Sequence, residues 1–180
     1  MNKAQKFILV TIWILLSRAY DAWSTYHHTP DLTKEANPLV SALGMGWIPL
    51  LTTIGLLSAY IIYAFYQSTF NTRNLHPQDA GFNFRQFAAY LYLGERKHWS
   101  AMLYQMPSEK WRLHQYMGRI LPPCLAFAGL LSTLMWLLIQ YHPPYQQYHS
   151  PTVIYAILIF ISILLNYRIN HMEFRQYQRK

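Results

Sequence analysis

Four runs of mostly apolar residues order the chain, at about 7–26, 47–70, 122–140 and 153–167. A hydrocarbon core about 30 Å thick takes about 20 apolar helical residues to cross, so each run predicts a transmembrane helix. Trp47 and Pro49 open the second run. Pro122 and Pro123 are expected in the first turn of the third, where a missing N–H has no helical partner to lose, and His142-Pro143-Pro144 ends it. Between the second and third runs the pattern changes. Phe84, Phe87, Ala88 and Leu91 recur at helical spacing, as do Trp99, Met102, Leu103 and Met106. Gly94 separates the two sets, and Pro107-Ser108 is expected to cap a third short helix near 111–117. Basic and aromatic residues share these segments, as in helices that lie in the headgroup plane. The pattern predicts an all-α polytopic membrane protein. It has four transmembrane helices plus cytoplasmic interfacial amphipathic helices over 71–119, in a single integral membrane domain spanning 1–180.

Composition supports a lipid environment. The 180 residues are 53% hydrophobic and 17% aromatic, and only 12% are charged, about half the charged share of an ordinary soluble domain. The mean hydropathy of +0.03 hides this, because a polar middle segment offsets the long apolar runs. The net charge of +8 is distributed as a topology signal. Lys3 and Lys6 precede the first run. Arg73, Arg85, Arg96, Lys97, Lys110, Arg112 and Arg119 lie between the second and third, and Arg168, Arg175, Arg179 and Lys180 follow the fourth. Lys34 is the one basic residue between the first two runs, and 141–150 has none. The positive-inside rule then places both termini and the middle segment in the cytoplasm. The expected location is a cell membrane, the inner membrane of a bacterium, with membrane lipids as partners and no nucleic acid. The first run is expected to be a retained span, because it carries Arg18 and Asp21 and no small-x-small cleavage site follows.

The chemistry concentrates at the outer end of that first run. Arg18, Asp21, Thr25 and His28 share one helical face. Counted from Phe7 at about 1.5 Å per residue, Arg18 lies roughly 16 Å deep and Asp21 roughly 21 Å. Ionisable groups at such depth cost at least about 2.5 kcal/mol each, so they turn inward and pair. An Arg18–Asp21 bridge is expected, either as a structural pair or as the floor of an outward-facing polar cavity. Asp31 and Glu35 join Asp21 on that side. Asn37-Pro38 has the form of an N-cap followed by proline at the first helical position. Arg18, Asp21, Thr25, Asp31, Glu35 and Asn37 are therefore the candidate binding residues.

Asp21 with Ser24-Thr25, then Thr29-Pro30-Asp31-Leu32, then Glu35-x-Asn37-Pro38-Leu39 resembles a pattern in small uncharacterised bacterial multi-span membrane proteins. The likeness covers about residues 18–50. It implies a multi-span helical fold, marks Asp21, Asp31, Glu35 and Asn37, and carries no activity with it.

Known chemistries find little purchase. There is no H-E-x-x-H helix, no G-x-S-x-G, no phosphate loop and no haem, flavin or nucleotide motif. The single cysteine, Cys124, excludes an internal disulfide. His28, His142, His149 and Asp31 form a candidate metal set, and a bound cation is the one cofactor the sequence suggests. Cys124, Ala128 and Ser132, and Gly55 with Ala59, are expected to be small-residue packing seams. The leading expectation is a small membrane protein that binds or passes an ion or small solute at its outer carboxylate site, as a homo-oligomer. One alternative is an accessory or sensory subunit that docks a membrane or cytoplasmic partner through its middle helices. The third is an intramembrane enzyme, dependent on a metal or on acid–base chemistry, acting on a lipid-linked substrate.

Overall fold

Capping and length set the element boundaries in the computed structural model, which describes residues 2–33, 35 and 37–179. Helix α1 runs Lys3–His28 and starts at a capping box, in which Asn2 and Gln5 satisfy each other's backbone N–H groups. Helix α2, Pro38–Ser41, is capped by Asn37, whose Oδ1 accepts from Leu39 N at 3.0 Å. Helix α3 is Trp47–Phe70, and α4 is Phe84–Leu93 with an Asn83–Gln86 capping box. A 3-10 helix, Trp99–Leu103, precedes α5, Lys110–Tyr141; a second, Pro143–Gln147, precedes α6, Pro151–Gln178. The protein is all-helical, and among the described residues no strand forms.

Four helices, α1, α3, α5 and α6, are long and apolar enough to cross a membrane. At 1.5 Å per residue the 24 residues of α3 span about 36 Å and the 32 of α5 about 48 Å. Large apolar side chains face outward along them: Leu16 is 62% exposed, Leu56 68% and Ile163 62%. Such surfaces suit acyl chains as solvent.

The third and fourth spans and the middle segment differ most from the sequence expectation. Pro122 and Pro123 lie inside α5, not in its first turn, so the short helix expected near 111–117 is continuous with the third span. The prolines remove two N–H donors, which spanning helices tolerate where neighbours resatisfy the freed carbonyls. The fourth helix continues eleven residues beyond 167. The 99–106 run forms a 3-10 helix followed by a turn in place of an α-helix.

The chain divides into two compact units, Met1–Tyr60 with Cys124–Phe160, and Ile61–Pro123 with Ile161–Lys180. In the first, α1 packs on α5 through small residues. A Cβ on Gly129 would collide with the Ser17 side chain, so the two backbones approach closely only because the position is glycine. Trp13 Nε1 adds a hydrogen bond to the Ala126 carbonyl at 2.8 Å. Gly55 differs: nothing stands within 4 Å of its Cβ position, so the seam expected there is not formed within the chain.

In the second unit, Gly118 sets α5 against the Ala64 carbonyl of α3 in the same way. Gln115 Nε2 donates to the carbonyls of Gln67 and Asn71, each at 2.9 Å, and so closes the end of α3. The apolar face of α4 does not lie open to lipid. Phe87 is fully buried, with ring contacts to Phe174 and Tyr177 at 5.3 and 5.1 Å between centroids. The extra length of α6 supplies both partners. Gly94 ends α4 at φ +83, and its missing Cβ leaves room for the Arg112 side chain.

Candidate polar site around Asp21

The face of α1 that carries Ser17, Ser24 and Thr25 is buried, although these are polar residues. Small hydroxyl side chains turn back on their own helix: Ser17 Oγ donates to the Ile14 carbonyl at 3.1 Å. They leave room for larger polar groups beside them. Arg18 Nη1 lies 3.4 Å from Asp21 Oδ2, an i, i+3 pair as the spacing predicts. The side chains are 20% and 30% exposed.

Asp21 has two further partners. Ser132 Oγ and Trp136 Nε1, the latter at 2.9 Å, both donate to Oδ1. They stand at i and i+4 on α5, one above the other on the same face. Trp136 is buried and packs against His28, with 5.0 Å between ring centroids. His28 in turn places Nδ1 2.9 Å from the Ser24 carbonyl. Tyr155 of α6 lies within electrostatic reach of both Asp21 and Glu35.

The other candidate residues serve the loop. Asp31 is exposed, and its Oδ1 accepts from Thr33 N and Thr33 Oγ1 at 3.2 and 3.0 Å. Glu35 Oε1 accepts from Asn37 N at 2.8 Å. Asn37 caps α2 as described. Trp47 Nε1 donates to the Pro30 carbonyl at 2.7 Å and ties this loop to the start of α3. Lys34, the basic residue expected to balance these acids, falls outside the described residues. Thr25 is buried, and its carbonyl accepts both from the backbone N–H and from Oγ1 of Thr29.

Neither the carboxylate trio nor the histidine set forms a metal site. Among the described residues no three His, Cys, Asp or Glu side chains gather to hold an ion. That covers His28, His142, His149 and Asp31, and also Asp21, Asp31 and Glu35. The physical reason is local chemistry: Asp and Glu beside Thr33 and Asn37 N–H groups close turns, and His28 is taken up by its own helix and by Trp136. His142 caps the Pro143–Gln147 turn through its backbone and is exposed. His149 is partly buried, which pushes its pKa below the ordinary 6.5, and its Nδ1 has no hydrogen-bond partner. No family model, curated protein or solved structure matches the chain.

The unmatched group at the site is Arg18. Its Nε and Nη2 are buried without a hydrogen-bond partner. Guanidinium has five N–H donors and no acceptor, and an unmade hydrogen bond in a dry interior costs about 1–3 kcal/mol, more for a charged group. Asp21 spends Oδ1 on two donors and Oδ2 on Arg18, which leaves little for a hard cation that takes six or more oxygens. The arrangement therefore favours an oxygen acceptor at Arg18 over a cation at Asp21. Sequence reasoning reached Arg18, Asp21 and His28. Ser132 stands in the small-residue seam that the sequence predicts, and its role at Asp21, like those of Trp136 and Tyr155, shows only in the folded chain.

Proposed function

We propose that this chain is an integral membrane protein that binds or passes a small ion or solute at the Arg18–Asp21 site, on the outer side of the membrane. The observation that carries this reading is the pair of buried, unpartnered Arg18 donors beside a carboxylate that already has its own partners. The solute meets Arg18 with an oxygen acceptor, and Asp21 fixes the guanidinium in place. The test is a panel of chloride, acetate, sulfate, sodium and calcium added to the purified full chain, read as the shift in thermal unfolding midpoint. Acetate or sulfate should raise the midpoint of the native chain more than chloride does and leave Arg18→Gln unmoved. Equal shifts in both, or no shift by any anion, would overturn the reading.

A second reading, an accessory role through the middle segment, is favoured by one observation. Leu103, Tyr104 and Met106 are 79%, 74% and 76% exposed, in a segment that Lys97 holds through Gln105 Oε1 at 2.9 Å. Exposed apolar side chains in one short segment suit either the headgroup layer or a partner's surface.

A further inference from the structure

The second unit contains a basic cavity to which neither reading assigns a role. Its volume is about 380 Å³, and it opens where residues 72–76 leave the end of α3 and meet Arg119 of α5 and Glu173 of α6. Glu173 is held from two sides. Arg119 Nη1 lies 2.9 Å from Oε1, and His76 Nε2 lies 2.7 Å from Oε2. The carboxylate thus fixes a guanidinium and an imidazole at set positions around the opening. Arg73 also lines the cavity, its guanidinium 5.2 Å from the centre of the Trp111 ring.

Two guanidinium groups against one carboxylate leave one positive charge over, before His76 is counted. The His76 side chain is only 10% exposed, and its Nδ1 is buried with no hydrogen-bond partner. Thr72 and Gln176 add a hydroxyl and an amide to the lining. Asn74 Oδ1 accepts from the backbone N–H of His76, which leaves its NH2 group as the donating end. Planar guanidinium forks match the oxygens of a carboxylate or a phosphate and repel a cation, and the hydroxyl and amide donors beside them suit the additional oxygens of a phosphate.

Position narrows the source. Helix α3 is longer than a hydrocarbon core, so residues just past Phe70 lie at headgroup level, on the side rich in Lys and Arg. Basic pockets at such span ends receive anionic headgroups. We propose that this cavity binds a phosphate group, supplied by an anionic lipid headgroup or by free phosphate. The proposal stands apart from the Arg18–Asp21 site, since no residue is shared.

The test uses the full chain in neutral detergent, titrated separately with inorganic phosphate, short-chain phosphatidic acid and short-chain phosphatidylcholine. Binding is read from the thermal unfolding midpoint. Arg73 is exposed, so Arg73→Gln should fold normally; it should weaken phosphate-group binding roughly fivefold. Arg175→Gln, an exposed basic residue of α6 outside the cavity, should leave binding unchanged. Thr72→Val provides a second variant of the lining, with weakened binding expected. Binding of both phosphate probes with this dependence supports the site and admits free phosphate as its source; binding of phosphatidic acid alone supports it and assigns the lipid. A response no greater than that to phosphatidylcholine, or equal weakening by Arg73→Gln and Arg175→Gln, overturns the proposal.

Discussion

Trp136 donates its indole N–H to Asp21 at 2.9 Å across 115 residues of chain. With Ser132, it makes the carboxylate of α1 independent of its neighbour Arg18, whereas Arg18 depends on Asp21. The pair is unequal.

That inequality predicts how the pair responds to mutation. Arg18→Leu leaves Asp21 with two donors, while Asp21→Leu strands a guanidinium in the bundle. Asp21→Leu should therefore lower stability more, by roughly 2 kcal/mol, between the values for exposed and fully buried pairs. The double change should recover part of that loss. Unfolding of the three variants in detergent checks this, and equal, additive losses would show that the two side chains do not support each other.

Gly118 and Gly55 should separate in the same assay. A methyl group on Gly118 meets the Ala64 carbonyl, whereas one on Gly55 meets nothing within 4 Å. Gly118→Ala should cost about 1–3 kcal/mol, the usual penalty of overpacking. Gly55→Ala should be silent or slightly stabilising. A silent Gly118→Ala would mean that α3 and α5 do not approach closely there.

His149 gives a pH dependence of known sign. Its folded pKa lies below the ordinary 6.5, so the unfolded chain takes up a proton that the folded chain resists. The stabilisation is complete above about pH 6.5 and is lost as the pH falls below it. A ring titration followed by NMR should place His149 below a free histidine, and His149→Phe should flatten the loss of stability. Titration at or above 6.5 would contradict the burial.

The 98–106 segment can be located by light. If Trp99 sits at the headgroup layer, the fluorescence difference between native chain and Trp99→Phe should be quenched by lipids brominated near the headgroup. Quenching by deep bromines alone, or none, would leave the exposed Leu103 and Met106 to a protein partner.

How far the chain can be read in advance depends on how local each cause is. The bounds of α3, the Asn37 cap, Gly94 as a stop and the Arg18–Asp21 pair rest on neighbours within a few residues, and all were legible. Pro122 and Pro123 point to a helix start, yet they lie within α5, because the helix on either side outweighs two missing donors. The tail of α6 was missed since its polar residues look like the end of a span; Phe174 and Tyr177 make sense only once Phe87 needs covering. Ser132 and Trp136 as partners of Asp21, and Arg73, His76, Arg119 and Glu173 around one cavity, are meetings of distant segments, which no spacing rule encodes.

The separation of Asp21 from Ser132 also sets a clock. The two are 111 residues apart, and synthesis at roughly 5–20 residues per second puts about 5–20 s between their appearances. During that interval neither α5 donor exists. Arg18, three residues away and made first, is the partner on hand while α1 waits in the membrane. The ion pair that is the weaker half of the finished site is thus its earliest half, a first counter-charge for the Asp21 carboxylate until the helix that carries its other two partners arrives.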